Sequence, residues 1–149
     1  MTIINGKKLL AAAPLSPMLA TKERAHGVSH GLSEAGYDLR IRQDVTLTPE
    51  NRFTLASTVE RFQMPPDLIG IVHDKSTWAR QGLSVFNTVI ESGFRGGLTL
   101  ELVYHGNDEL VINAGSGIAQ VIFHRLECPA VYNGKYQDQS SEPTPAILE

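Results

Sequence analysis

Cysteine is almost missing from this sequence: Cys128 is the only one in 149 residues. No intrachain disulfide can form, and a reducing cytoplasm (a host's, for a viral chain) is the expected compartment. The same scarcity excludes zinc-dependent base chemistry of the kind that needs a histidine beside paired cysteines. His26, His30, His73, His105 and His124 are scattered and form no H-E-x-x-H pattern. Any hydrolytic chemistry should therefore activate water with protein side chains. Positive charge is also in short supply, with Lys plus Arg at 13 against Asp plus Glu at 16. A nucleic-acid polymer needs a concentrated basic footprint and is not an expected partner; a local basic pocket for one phosphorylated ligand remains compatible. No apolar run approaches the roughly 20 residues of a membrane helix, so no membrane partner is expected. Lys7, Lys8 and the short run Leu9–Ala13 read as an amphipathic first helix rather than a leader.

What is present is the composition of a folded domain, 42% hydrophobic and 19% charged. Ile3–Ala13 predicts one short helix, which Pro14 and Pro17 end; a Gly/His/Ser-rich segment then runs to Gly31. Short, partly alternating segments follow at Tyr37–Ile41, Arg52–Ala56 and Leu68–Val72, the last after the turn signal Pro65-Pro66-Asp67. Leu98, Leu100 and Leu102 alternate with Thr99, Glu101 and Val103, so a two-residue period puts Thr99 and Glu101 on one face and the leucines on the other. Glu109–Asn113 and Ile118–Arg125 complete the series. Many short strands at even spacing predict a mainly β barrel or jelly-roll-like sheet with short helices, not a dinucleotide-binding fold. Residues 1–139 are expected to be a single domain, with 132–139 as a segment that closes over ligand. Residues 140–149, rich in Ser, Pro and Glu, are expected to be a mobile tail.

Two places can carry chemistry. Asp74–Arg80 follows an apolar strand and offers the cations Lys75 and Arg80, the hydroxyls Ser76 and Thr77, and the free N–H groups of a short helix, a donor set suited to phosphates. An ordinary capped surface turn has the same composition. Glu101 lies in the strongest strand, where a carboxylate is either solvent-facing or held in a cleft with an adjusted pKa. Burial would raise that pKa and a nearby Arg80 would lower it.

Together these blocks resemble the deoxycytidine triphosphate deaminase family, within the superfamily that includes the trimeric deoxyuridine triphosphatases. The resemblance runs from Gly31 to Gln139 and is carried by Ala35–Arg40, Leu55–Glu60, Asp74–Arg80, Val89–Gly96, Leu98–Glu101 and Gly134–Gln139. It implies a distorted jelly-roll or β-clip-like subunit, a homotrimer with active sites between subunits, and magnesium held through the nucleotide phosphates and water, with no direct protein ligand.

By that resemblance Glu101 is the general base, Arg80 its partner and Ser76 the water-positioning serine. Lys75 stands where arginine is more usual, Thr77 keeps a hydroxyl, and Thr99 shares the face of Glu101. Glu91 stands for an aspartate and Phe94 for a tyrosine or tryptophan in the sugar-recognition hairpin. Tyr132, Lys135, Tyr136 and Gln139 resemble the closing segment that contacts phosphates and base. The implied reaction is conversion of dCTP to dUTP and ammonia without zinc. The short span from Leu83 to Gly93 is closer to triphosphatase spacing and leaves Asn87 and Thr88 unmatched. A deoxyuridine triphosphatase, a bifunctional enzyme ending at dUMP and diphosphate, and a non-catalytic nucleotide-binding regulator are the alternatives.

Overall fold

The computed structural model describes residues 2–149. A seven-residue helix α1 (Gly6–Ala12) opens the chain and buries Leu9. The strands β1 (Leu15–Ser16), β2 (Lys22–Ala25), β3 (Val28–Leu32), β4 (Tyr37–Arg40) and β5 (Val45–Leu47) follow. Next come the long β6 (Phe53–Gln63) and β7 (Leu68–Asp74), then the single turn of α2 (Ser76–Ala79). The chain continues through β8 (Leu83–Val85), β9 (Val89–Ile90), β10 (Arg95–Tyr104), β11 (Leu110–Ile112) and β12 (Gly117–Arg125). This is the mainly β architecture that the short alternating segments predict.

The strands form a six-stranded sheet in the order β2-β3-β4-β12-β7-β9, a four-stranded sheet β1-β6-β10-β8, and the pair β11-β5. Every strand pairing is antiparallel. Tyr37, Leu39 and Phe123 from one sheet and Ala56, Leu100 and Leu102 from the other are fully buried in the core. Alternation dictates this: each strand sends every second side chain inward, where apolar area leaves water. β10 departs from strict register against β6 between Gly97 and Thr99, a bulge just ahead of the site-bearing residues.

One buried polar link joins the two sheets, and a second ties α2 to one of them. Glu60 of β6, with no exposed surface, accepts from the Arg40 side chain (Nε to Oε1, 2.9 Å) and from the Arg40 backbone N–H (3.0 Å) on β4. Burial pushes the Glu60 carboxyl above the usual carboxylate range, against the pull of Arg40. Trp78 of α2 is buried, and its indole N–H donates to the Gly117 carbonyl on β12 at 2.6 Å, tying the helix to the six-stranded sheet.

The β2–β3 hairpin occupies a stretch that the sequence reading treats as a Gly/His/Ser-rich connection. His26 (φ 52°) and Gly27 (φ 77°) form its two-residue turn in the left-handed region, where a His-Gly pair works as Asn-Gly does. Likewise β6 extends seven residues beyond the predicted Ala56 end, because pairing with β1 and β10 overrides the weak alternation of Ser57–Gln63.

Candidate active site

Glu101 sits in mid-β10 opposite Leu55 of β6, and its carbonyl accepts the Phe86 N–H at 3.1 Å. Leu100 and Leu102 are buried on the core side, while Thr99, Glu101 and Val103 are half-buried on the other, as the two-residue period requires. The Glu101 side chain opens into a cavity of about 410 Å³ walled by Phe53, Leu55, Leu98, Thr88, Thr99, Tyr136 and Gln139. Apolar walls desolvate the carboxylate, and burial raises its pKa; a long hydrogen bond from Thr88 (Oγ1 to Oε2, 3.4 Å) acts in the opposite direction.

A second cavity of about 220 Å³ adjoins the first, sharing Thr88, Leu98, Tyr136 and Gln139. Exposed Glu91 and buried Phe94 line it. Tyr132 covers Phe94 edge-on, with ring centroids 6.1 Å apart and an interplanar angle of 67°. The segment 132–139 is fastened to the hairpin between β9 and β10. The Tyr132 N–H donates to the Ser92 carbonyl at 2.8 Å, and Gln137 Oε1 accepts from the Arg95 N–H at 2.6 Å. The Gln137 amide nitrogen donates to the Gly93 and Tyr132 carbonyls at 3.0 and 2.9 Å. Gln139 donates its amide nitrogen to the Gly97 carbonyl (3.1 Å), which leaves its oxygen toward Thr99 Oγ1 at 3.4 Å. Lys135 stands outside the cavities, 5.4 Å from the Tyr136 ring centroid and donating to the Ile147 carbonyl.

Residues 140–149 lie along the same face. Ser57 Oγ donates to the Ser141 carbonyl at 2.6 Å, and the Thr144 N–H donates to Thr99 Oγ1 at 3.0 Å. The Ile147 N–H donates to the Tyr136 hydroxyl at 3.1 Å, and Thr144 and Ala146 complete the wall of the larger cavity.

The residues singled out from the sequence thus separate into two groups. Glu101, Thr99, Glu91, Phe94, Tyr132, Tyr136 and Gln139 line the adjoining cavities. Ser76, Thr77 and Arg80 stand exposed on α2 at the end of β7, where Arg80 Nε donates to Ser76 Oγ at 3.1 Å. Among the described residues no hydrogen bond or ion pair joins Arg80 to Glu101, so the expected partnership does not form within one chain; α2 leaves the six-stranded sheet and Glu101 belongs to the four-stranded one. Lys75 turns inward instead of presenting its ammonium to solvent. It pairs with buried Asp38 at 2.7 Å and donates to Ser29 Oγ at 3.0 Å. Thr88, Phe53, Thr144 and Ala146 are among the cavity-lining residues that the sequence does not single out. Thr88 lies in the unmatched Leu83–Gly93 span, and the others carry no motif.

A model of the dCTP deaminase-like family matches residues 21–126. The dCTP deaminase of Campylobacter jejuni (strain RM1221) is 36% identical, with 82% of this chain and 83% of the relative covered. The dCTP deaminase of Sulfurovum sp. (strain NBC37-1) is 34% identical over 96% of this chain and 94% of its own. Among solved structures, the native EIAV dUTPase is similar in fold with a TM-score of 0.57, 24% identity and coverage of 69% and 85%. The dUTPase of Staphylococcus bacteriophage 80alpha gives a TM-score of 0.58 at 17% identity, covering 77% of this chain and 88% of that one. The family match spans most of the chain and includes every strand from β2 to β12: this chain belongs to the dCTP deaminase-like family.

Proposed function

We propose that this chain converts dCTP to dUTP and ammonia, with Glu101 as general base. One observation carries the reading: a single carboxylate, raised in pKa by burial, faces a cavity of about 410 Å³ next to a smaller apolar one. The larger cavity suits a pyrimidine base, and the Phe94–Tyr132 wall suits the sugar. A water molecule between Glu101 and C4 of cytosine gives up one proton to the carboxylate as its oxygen attacks. Glu101 passes that proton to the ring nitrogen N3, then takes the proton of the C4 hydroxyl and delivers it to the exocyclic amino group; C4=O forms as the exocyclic C4–N bond breaks, and ammonia leaves. A carboxyl whose pKa lies above the ordinary range performs both transfers better than a fully solvated one.

Ser76 and Arg80 serve this centre from a second copy of the chain, Ser76 holding the water and Arg80 stabilising developing charge. Among the described residues neither bonds to Glu101 within one chain, which fits sites completed by a second copy, as in the homotrimer that the resemblance implies. Thr77 and Lys135 offer phosphate donors. Magnesium fits as an ion carried in on the triphosphate and water: the donors near α2 are hydroxyls and a guanidinium, which hold phosphate rather than metal, and the Asp38 carboxylate is already engaged by Lys75. The ion supplies neutralisation of the triphosphate charge. The cytoplasm is the proposed compartment.

Glu91, exposed beside Phe94, keeps a second reading in view: hydrolysis onward to dUMP and diphosphate. Ammonia release measured together with separated nucleotide products from dCTP and dUTP decides between them. Ammonia with dUTP supports deamination, ammonia with dUMP the bifunctional reaction, and turnover of dUTP alone a triphosphatase. Binding without turnover marks a regulator. Glu101→Gln should lower deamination by about a hundredfold or more while retaining nucleotide binding; near-native turnover in that variant rejects the role of Glu101.

A further inference from the structure

We propose that Thr88 is the positioning residue for the Glu101 carboxylate, a role that rests on the reading of Glu101 as the base. The chain between β8 and β9 bridges the two sheets directly beside Glu101. The Phe86 N–H donates to the Glu101 carbonyl at 3.1 Å, tying this bridge to β10. Two residues later the Thr88 carbonyl accepts the Val72 N–H at 2.9 Å, tying it to β7. Main-chain bonds therefore fix the place of Thr88, and its side chain is left to work in the cavity.

Among the described residues the hydroxyl bonds to Glu101 Oε2 alone, at 3.4 Å. It is also the only side-chain donor on Glu101 among the described residues. An ionised carboxylate can only accept, so the hydroxyl must donate, and its lone pairs stay available to a water or a substrate atom. Thr99, whose hydroxyl lies on the Glu101 face of β10, is engaged differently: it accepts the Thr144 N–H and faces the Gln139 amide oxygen.

The need for such a partner follows from the side chain itself. The terminal torsion of a glutamate is broad and roughly two-fold, so apolar neighbours such as Leu55 and Leu98 do not select one orientation of the carboxylate plane. A β-branched threonine, stiff at χ1, supplies a donor from a defined direction. The short span between Leu83 and Gly93 thereby acquires a function: it is what brings residue 88 over β10. Glu101 is the one carboxylate among the described residues lining this cavity, so a carboxyl titration there can be assigned to Glu101.

The test compares Thr88→Val, which keeps shape and loses the donor, with Thr88→Ser, which keeps the donor. For Thr88→Val, kcat for ammonia release should fall about tenfold while KM changes less than about twofold, since the lost bond orients the base rather than binds substrate. The charged carboxylate loses a stabilising donor, so the acidic limb of the kcat profile moves to higher pH; Thr88→Ser should restore most of both. Carbon-13 NMR titration of glutamate-labelled protein, with Glu101 assigned through Glu101→Gln, reads the same link without turnover. Unchanged kcat and titration in Thr88→Val overturn the proposal. So does Thr88→Ser behaving like Thr88→Val, which would make residue 88 a packing group. If wild-type protein releases no ammonia, the deaminase reading fails, while the NMR shift still upholds or overturns the Thr88–Glu101 link.

Discussion

Replacing Arg40 by methionine isolates a buried link between the two sheets. The substitution removes the Nε donor that reaches Glu60 at 2.9 Å and retains the backbone N–H at 3.0 Å. Breaking a buried ion pair by deleting one partner costs about 3–5 kcal/mol, because the remaining charge is uncompensated. The Arg40 side chain is 20% exposed and one donor survives, which places Arg40→Met near the lower end, about 3 kcal/mol. With a urea slope of about 2 kcal/mol/M, the unfolding midpoint should drop by about 1.5 M. Variants must be compared at one protomer concentration, since assembly would contribute to apparent stability. The cost also has a pH signature. Burial holds the Glu60 carboxyl above its unfolded value, and removing Arg40 raises it further. A raised carboxyl favours the folded state below its unfolded pKa and loses that contribution as pH rises through the folded pKa. The deficit of Arg40→Met should therefore be largest at about pH 7.5 and smaller at about pH 5, and the double variant Arg40→Met/Glu60→Gln should be less impaired than Arg40→Met alone. A loss below about 1 kcal/mol at both pH values, or one that does not vary with pH, would refute the reasoning.

Two further outcomes are expected. Because burial raises the Glu101 pKa, the acidic limb of the pH profile for ammonia release should lie above the ordinary glutamate range, with activity growing as the base loses its proton; a limb at the solvated value would remove burial as the controlling cause. Truncation before Tyr132 exposes Phe94 and removes Gln139 from both cavities, so KM for dCTP should rise about tenfold or more in steady-state assays, whereas an unchanged KM would separate the closing segment from substrate binding.

The parts of the fold that were legible in the sequence are those where local pattern and tertiary position agree. Alternation alone separated Leu100 and Leu102 from Thr99 and Glu101, and an apolar run with a turn before it located β7. The β2–β3 hairpin was hidden because its turn is His26-Gly27 and β2 is polar and mostly exposed, leaving no apolar period to read. Lys75 looked like a solvent donor since its neighbours in sequence are polar; its partner Asp38 comes from β4, and only the pairing of β4, β12 and β7 brings the two together. Thr88 stayed unmatched for a related reason. Its place beside Glu101 comes from a crossing between sheets, and a motif compares positions along one chain rather than across a gap.

The opening of β10 gives the same distinction a sharper form. Gly96, at φ 131°, forms a parallel bridge with Gln139, and a side chain there would press on the Gln139 backbone, 2.6 Å from its nitrogen. A side chain at Gly97 would meet the Ser140 carbonyl. Main chain lies against main chain here, beside the ties that the segment supplies from its own Gln137, Asp138 and Gln139 side chains. Mutational scanning should find Gly96 and Gly97 intolerant. Part of the instruction for where the carboxyl end runs is thus stored in two glycines far upstream of the segment that obeys it.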